Sequence, residues 1–590
     1  MTPVVDGESN NRIGQCLAGA LLVGGITLAA LVQAQTQTGT QATAQGTAQG
    51  ATQASTQGTA QTNAQAQAST ATKQAATDAA TQATAQANPA AASPPPTFDV
   101  NEFIVRGNTT LPSIEIEKAV YPFEGPGKTL TDVNAARDAL QKVYQDNGYQ
   151  SVVVELPAQQ VKGGVILLQV VEAKVGRLRV EGSKYNSPQE IRDAVPALAE
   201  GTVPDFNAAQ QQLTDLNKSQ DRQVIPVLKA GALPQTVDVD LKVDDHNPLH
   251  GSIELNNDHS PDTSELRTVA ALSYSNLWQL GHVISGSFLL APQHPQDAKV
   301  YTFSYLAPLQ GTHWTLLATA YHSDSNVASL GNTTVLGKGT SFGLQAIYAL
   351  PSTDRYSETA SVEIDHKHFD ENDIFAGTTS QAPITYVPVT FAYNGQLNLK
   401  NSQTAFSVSL VTNLRGASSS ADDFDNKRFD ATADFIYGKF DVNHTQNLPR
   451  DMQLNAHVSG QISNSPLVSS EQFAAGGINT VRGYLSAEDT ADSGVIGSLE
   501  LRSPSVAKYF NGSIVNEWRF HAFVDSAHLW LLSPLPEQQS SFNMLSVGIG
   551  TRLQLLKYAS ADIEMAFPMK SATFTKAYSP HFDFYVRASF

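Results

Sequence analysis

From about His246 to the end of the chain, apolar and polar residues alternate with a period of two, interrupted at intervals by turn residues. The last stretch shows this most cleanly. Phe582, Phe584, Val586, Ala588 and Phe590 fall on one face, and Asp583, Tyr585, Arg587 and Ser589 on the other. Candidate strands centre on Ile253, Ala271, Ser287, Phe303, Leu317, Gln345, Glu363, Phe391, Val408, Ala433, His457, Leu499, Ala522, Gly548, Ile563 and Tyr585. That is an even set of about sixteen, with spacing that suits strands of roughly ten residues and loops of similar length. A sheet of so many strands rarely stays open, and closure removes edges that hydrocarbon would penalise. The pattern predicts an all-β transmembrane barrel of about 16 antiparallel strands over residues 246–590. In a soluble sandwich an exposed terminal aromatic would invite aggregation. On a lipid-facing barrel, Phe582, Phe584 and Phe590 become membrane anchors.

The pattern changes between Phe98 and Val243. A strand over Phe98 to Arg106 precedes a short helix from Ser113 to Val120, with Ser113 as its N-cap, and a second helix from Thr131 to Gln145, capped by Thr131 or Asp132. Strands follow over Ser151 to Leu156 and Val165 to Glu172. The β-α-α-β-β order then repeats, with a strand from Gly176 to Glu181, helices from Ser187 to Val195 and Asn207 to Asn217, and strands from Gln223 to Lys229 and Thr236 to Val243. Pro226 assigns its strand to a sheet edge, where a missing N–H is harmless. Two α+β modules result, residues 97–173 and 174–245, each of about 75 residues and able to bury a small core.

Ahead of them the composition changes twice. The apolar run from Cys16 to Val32 ends in Val32-Gln33-Ala34, the small-residue pattern of a signal-peptidase site, so residues 1–34 are expected to be a signal peptide. Asp6 and Glu8 offset Arg12 and weaken the positive end of this leader; a retained anchor is the alternative, though the run is short for a span. Residues 35–96 are almost wholly Ala, Gln, Thr, Gly and Ser with a closing Pro94-Pro95-Pro96, a composition that buries too little to fold and reads as a linker. Cys16 is the chain's one cysteine, so a mature chain cut after Ala34 has no disulfide, thiol nucleophile or cysteine metal site. With 55 acidic against 37 basic residues, nucleic acid is not an expected partner.

One loop stands out between two strand-like runs: Ser469-Ser470-Glu471-Gln472-Phe473-Ala474-Ala475-Gly476-Gly477-Ile478-Asn479-Thr480-Val481-Arg482-Gly483-Tyr484. Its three glycines open positive φ to the backbone, Val481 and Tyr484 can pack the turn, and Arg482 projects from it. Alone, the stretch also fits a solvated hairpin loop. Downstream, His521, Phe523 and Asp525 share one face of a strand, and Glu500 faces away from Leu499 and Leu501.

Two β-α-α-β-β modules, a barrel and a Val481-Arg482-Gly483-Tyr484 loop together resemble the TpsB family of two-partner secretion transporters, of the haemolysin secretion/activation type, and the modules resemble POTRA domains. The likeness covers about Thr97 to Phe590; the Ala/Gln/Thr linker departs from it, and whether an N-terminal plug helix is present stays open. The resemblance implies an outer-membrane barrel with periplasmic POTRA domains, binding an unfolded exoprotein of TpsA type, an adhesin or haemolysin, and translocating it. It further implies that Asp525, matching the family's Phe-x-Asp-x-Gly strand motif with Ala527 in place of its glycine, pairs with Arg482 in the lumen, with Glu500 as second candidate. Without the family, both acids fit equally as ordinary lumen-wetting residues. The strand edge at Val152, Val153 and Val154 is the candidate cargo site, although these valines also suit the module's core. The implied partners are the exoprotein, outer-membrane lipid and the barrel assembly machinery.

Other readings compete. Gly339-Thr340-Ser341-Phe342-Gly343 satisfies the Gly-x-Ser-x-Gly pattern of a hydrolase elbow, which would make an outer-membrane esterase using Ser341, but it runs straight into a strand. His366 and His368 share a strand face without a third ligand at diagnostic spacing, so no metal is expected. With no phosphate-binding loop, no nucleotide cofactor is expected and the driving force for transport comes from outside the chain. An insertase of the same superfamily is the main alternative, and more than two POTRA modules would favour it; a passive porin would need none.

Overall fold

The computed structural model describes residues 96–590 apart from 218, 326, 331–332, 354, 371, 376–377, 382 and 511–513, and no side chain within 326–336 or 371–382. The expected signal peptide, its cleavage site and the linker up to Pro95 lie outside the described residues. The remainder divides into two compact units at Asn247 and Pro248.

The first unit contains two modules built alike. In the first, Glu102–Arg106 runs parallel to Val165–Glu172, which pairs antiparallel with Val152–Glu155, giving that last strand a sheet edge. Helices Ser113–Val120 and Leu130–Asp146 cover one face. Val133, Ala136, Leu140 and Tyr144 recur at helical spacing on the longer helix and pack against Val152, Val154, Ile166 and Leu168. Truncating a fully buried residue such as Leu140 to Ala would cost about 2–5 kcal/mol.

Local capping differs from expectation. Ser113 is the first helical residue after an N-cap Pro112, and the long helix is capped by Thr129, whose hydroxyl accepts from the Asp132 N–H while Asp132 returns a bond to the Thr129 N–H. The single strand expected over Phe98 to Arg106 breaks at Asn101, and its first part, Phe98–Val100, pairs with Gly125–Lys128, a strand the turn-like Gly-Pro-Gly-Lys sequence does not announce.

In the second module, Lys174–Glu181 runs parallel to Thr236–Asp245, which pairs antiparallel with Arg222–Ala230. Arg222–Ala230 is an edge strand, as Pro226 requires. Asp245 ties this module's far turn: its Oδ2 accepts from the N–H groups of Lys184 (2.6 Å), Tyr185 (2.7 Å) and Asn186 (3.0 Å), and Oδ1 from the Asn186 amide (2.7 Å).

The second unit is a closed antiparallel barrel of sixteen strands among the described residues, counting Ile384–Tyr386 and Pro388–Asn398 as one strand interrupted at Val387 because both pair with Tyr356–Phe369. Closure is made by His581–Ser589 against Leu249–Asn256, with Gly251 and Phe590 exchanging backbone hydrogen bonds of 3.2 and 3.0 Å. Fifteen of the expected strand centres lie within barrel strands. Ala433 does not; its strand is Ile436–Leu448, because the preceding residues belong to an inward-folded loop containing the helix Ala421–Lys427.

The two faces separate by chemistry. On Tyr356–Phe369, Val362 and Ile364 are exposed, whereas Glu363, Asp365 and Lys367 are buried toward the lumen. Phe582, Val586 and Phe590 are outward and exposed, with Asp583 buried between them. Phe424 of the short helix joins Phe369, Tyr386, Phe435, Tyr437, Leu467 and Val468 in an apolar cluster inside the barrel wall.

Burial works against a charged Asp245, but its backbone donors and the Asn186 amide outweigh it and hold the carboxyl below its usual range. A depressed folded-state pKa means that the stabilisation is present above the unfolded carboxylate value and is lost as pH falls through the folded one. Asp245→Asn should therefore speed amide exchange at residues 184–186 near neutral pH and remove the acid dependence of that exchange, with barrel heat resistance unchanged. Unchanged exchange in the variant would show that Asp245 does not hold the turn.

Candidate functional site: an arginine latch in the lumen

The loop 464–492 joins the strands Met452–Ser463 and Ser493–Arg502 and folds back between the barrel walls. Its two arms pair as the short strands Phe473–Ala475 and Asp489–Ala491. Beyond them the Gly477 N–H donates to the Tyr484 carbonyl (3.0 Å) and the Thr480 hydroxyl bonds both the N–H and the carbonyl of Gly476 (2.9 and 2.8 Å), making a compact tip. Gly483 sits at φ +88°, and a Cβ there would lie 2.8 Å from the Ala566 methyl, so this position needs glycine both for its backbone and for its approach to the wall. Val481 is fully buried, and the Tyr484 hydroxyl donates to the carbonyls of Lys570 (2.8 Å) and Leu545 (3.0 Å).

Arg482 projects from this tip into the barrel wall with 7% of its surface exposed. Nε donates to Asp525 Oδ2 at 2.7 Å and Nη2 to Oδ1 at 2.9 Å, a bidentate fork, while the Arg482 backbone N–H adds a third bond to Oδ2 at 3.1 Å. Nη1 donates to Glu500 Oε2 (2.6 Å) and Glu564 Oε1 (3.0 Å), and Nη2 also reaches Ser498 Oγ at 3.2 Å. All five guanidinium N–H groups are thus used. The plane of the group lies over the Phe523 ring, with Cζ 3.4 Å from its centroid, adding a cation–π contact.

The strands supply these partners by alternation. Ser498 and Glu500 come from Ser493–Arg502, Phe523 and Asp525 from Val515–Trp530, and Glu564 from Ala559–Pro568. Three carboxylates around one cation would be underneutralised alone. Arg502 adds a bond to Glu500 Oε1 at 2.7 Å, and His521 Nε2 lies 2.8 Å from Glu564 Oε1.

The structure therefore brings Arg482, Asp525 and Glu500 together. Glu564 and Ser498 have no counterpart in the sequence reading, which placed Phe523 on the Asp525 face but gave it no contact with Arg482. Glu564 was discoverable, since Ile563 and Met565 face outward and leave Asp562 and Glu564 inward. Glu500, His521 and Glu564 each bring a potential ligand atom within 4.8 Å of the others, but the guanidinium is bonded to both carboxylates, so the protein supplies the cation there itself. Ser341 lies mid-strand in Gly339–Ala349, opposite Tyr321 and Lys367, and so does not form a strand-turn-helix elbow. His366 is exposed, and His368 bonds Thr385 Oγ1 at 2.7 Å. Val152 and Val154 are buried in the first module's core, and Val153 alone of the three presents its side chain to solvent.

A sixteen-strand barrel carrying an inward loop with this motif, next to two β-α-α-β-β modules, has known counterparts. The sequence model for the haemolysin secretion/activation protein ShlB/FhaC/HecB family matches residues 235–553, and the ShlB-type POTRA domain model matches residues 98–173. The chain belongs to that family. The heme/hemopexin transporter protein HuxB of Haemophilus influenzae is 21% identical over 492 residues, which cover 79% of this chain and 83% of the relative. The outer membrane transporter CdiB of Escherichia coli is 25% identical over 187 residues, 32% of each chain. Among solved structures, CdiB from Escherichia coli aligns with a TM-score of 0.61 at 18% identity, covering 86% of this chain and 93% of that one. BamA from Haemophilus ducreyi lacking POTRA domains 1–3 aligns at 0.51 and 16% identity, over 84% and 100% of the two chains. These likenesses show a shared fold. As a member of the ShlB/FhaC/HecB family of TpsB transporters, the chain is an outer-membrane protein of two-partner secretion with POTRA domains of the periplasmic kind.

Removing Arg482 leaves three buried carboxylates facing one another, and breaking a buried pair of this kind costs about 3–5 kcal/mol. Barrel closure rests on backbone ladders that Arg482 does not supply. Arg482→Ala should insert normally yet show faster amide exchange across residues 476–484. Arg482→Lys should be intermediate, since an ammonium has three donors and no planar fork. The Arg482→Ala/Asp525→Ala double variant should be no worse than either single, because members of one network are not additive. Fully additive effects would show that the two residues do not act as a pair.

Proposed function

We propose that this transporter takes an unfolded exoprotein of adhesin or haemolysin type from the periplasm, engages it by strand addition to a POTRA edge, and passes it through a lumen from which the loop 464–492 must withdraw. The observation that carries the reading is the loop itself. It lies across the interior, so a chain in transit and the loop compete for one space; Val481 and Tyr484 seat its tip in an apolar cluster, and the polar network around Arg482 adds the directional restraint. Arg482 is thus a latch: strong while desolvated, and replaceable by water once the lumen opens.

The edge Val152–Glu155 suits an extended peptide. Val154 offers its outward N–H to Gln141 Oε1 at 3.3 Å, a long bond that an incoming strand's carbonyl would replace. In this reading Phe582, Phe584 and Phe590 face outer-membrane lipid and form the end read by the barrel assembly machinery, and no step calls for catalysis, nucleotide or metal.

Deleting residues 97–173 should leave a heat-resistant barrel in the membrane and abolish binding of the cargo's N-terminal domain. Undiminished affinity would sink strand capture by this module. Arg482→Ala should secrete less cargo per barrel than the parent, measured in the medium and normalised to outer-membrane content; normal secretion would exclude the latch.

A further inference from the structure

Resting on the reading of the loop as the element that vacates the lumen, the geometry points to a second anchor at its base: Glu471, held by Lys367, Tyr386 and Tyr437, with Asp365 placed to take over Lys367 when the loop leaves. Glu471 closes the single helical turn Ser469–Glu471 and is fully buried. Lys367 Nζ donates to its Oε1 at 2.7 Å, as does the Tyr386 hydroxyl at 2.7 Å, and the Tyr437 hydroxyl donates to Oε2. Gln461 Nε2 donates to the Glu471 carbonyl at 3.0 Å, and the hydroxyls of Ser470 and Tyr386 share a bond of 2.7 Å. These partners stand on Tyr356–Phe369, Ile384–Tyr386, Ile436–Leu448 and Met452–Ser463. None of these strands contributes to the Arg482 network.

Glu471 and Arg482 thus tie the loop by buried charge to different parts of the wall, with the bend at Gly476 and Gly477 between them, alongside further contacts such as Glu488 with Thr575 and Asp492 with Arg428. A Cβ at Gly476 would collide with the Leu485 carbonyl, so the bend is tight as well as left-handed. Freeing Arg482 loosens the loop from its tip end, arms included, without detaching its base. Withdrawal of the whole loop also requires Glu471 to leave two buried phenols and a buried ammonium, none of which tolerates losing its acceptor without a substitute.

The structure contains a substitute for the ammonium. Asp365 lies two residues before Lys367 on the same inward face, is fully buried, and has both carboxylate oxygens without a hydrogen-bond partner. A lysine's flexible stem lets it exchange one carboxylate for the other, which keeps the wall neutralised after the loop has gone. The phenols carry the second consequence. Tyr386 packs on Phe424 and Phe435 at centroid separations of 6.0 and 6.2 Å, and Tyr437 on Phe435 at 5.9 Å, so the base anchor is coupled to the cluster that seats the helix Ala421–Lys427.

The test uses loop position, not secretion alone. In a Cys16→Ser background, Ala475→Cys places the chain's one thiol at a fully buried loop site, and its reaction with a membrane-impermeant maleimide is timed in outer-membrane vesicles. Glu471→Gln, Lys367→Met and Arg482→Ala should each speed labelling by on the order of tenfold, the factor that loss of one charge-assisted bond produces. Glu471→Gln with Lys367→Met should be no faster than either alone. Where Lys367→Met does not give a heat-modifiable barrel, Tyr437→Phe, which removes a single hydroxyl, takes its place. Parental labelling in the Glu471 and Lys367 variants but faster labelling in Arg482→Ala would overturn the second anchor and leave the latch standing; parental labelling in all three would overturn the latch as well. Asp365→Asn should label at the parental rate but secrete less cargo, and normal secretion would overturn the exchange.

Discussion

A guanidinium that is desolvated must find an acceptor for every N–H, and this requirement organises the interior of the barrel. Arg482 meets it with Asp525, Glu500, Glu564 and Ser498 from three strands, and with the Phe523 face beneath it. The desolvation of one cation and three carboxylates is large, and Coulomb attraction offsets it only because every guanidinium N–H is met, the fork onto Asp525 above all, although Glu564 Oε2 has no hydrogen-bond partner. A network of that kind holds a loop in one place while the lumen is dry and loses most of its advantage once water enters.

The barrel depends on something different. Its strands are joined by backbone ladders running the full circle, and each ladder bond in a lipid environment has no competitor. Loop and wall therefore differ in what sustains them: the wall by many uniform bonds, the loop by a few specific ones. The proposed withdrawal of the loop from a scaffold that stays closed rests on that difference.

The POTRA modules follow a third logic. Each has a small core, a two-helix layer over a three-stranded sheet, and each leaves an edge strand whose backbone groups are only partly met. Pro226 blunts the edge of the second module, whereas the first module's Val152–Glu155 has no proline and offers Val154 to a single glutamine side chain. The asymmetry is why the proposed strand addition is assigned to the first module.

The sequence by itself determined the barrel, because alternation of period two is a local property that survives without knowledge of neighbours, and fifteen strand centres could be read from it. It set out the two modules through their repeated β-α-α-β-β order, while the joining of Val133, Ala136, Leu140 and Tyr144 into one core is seen only in the structure. It marked Arg482, put Asp525 on one face with His521 and Phe523, and turned Glu500 away from its leucines, although the lumen placement of Asp525 and its pairing with Arg482 came from the family likeness and not from the pattern. Tertiary structure decided the rest. Ala433 reads as a strand because its neighbours alternate, yet it belongs to a loop that folds inward around Phe424. Thr129 caps the long helix because Asp132 lies three residues on, a reciprocal contact that weighs more than the nearer Thr131. Glu564 and Arg482 are 82 residues apart, as are many pairs that never meet, and Lys367 and Glu471 are 104 apart. Registers of a closed sheet bring such residues onto one wall, and closure is a property of the whole chain that no window of the sequence contains.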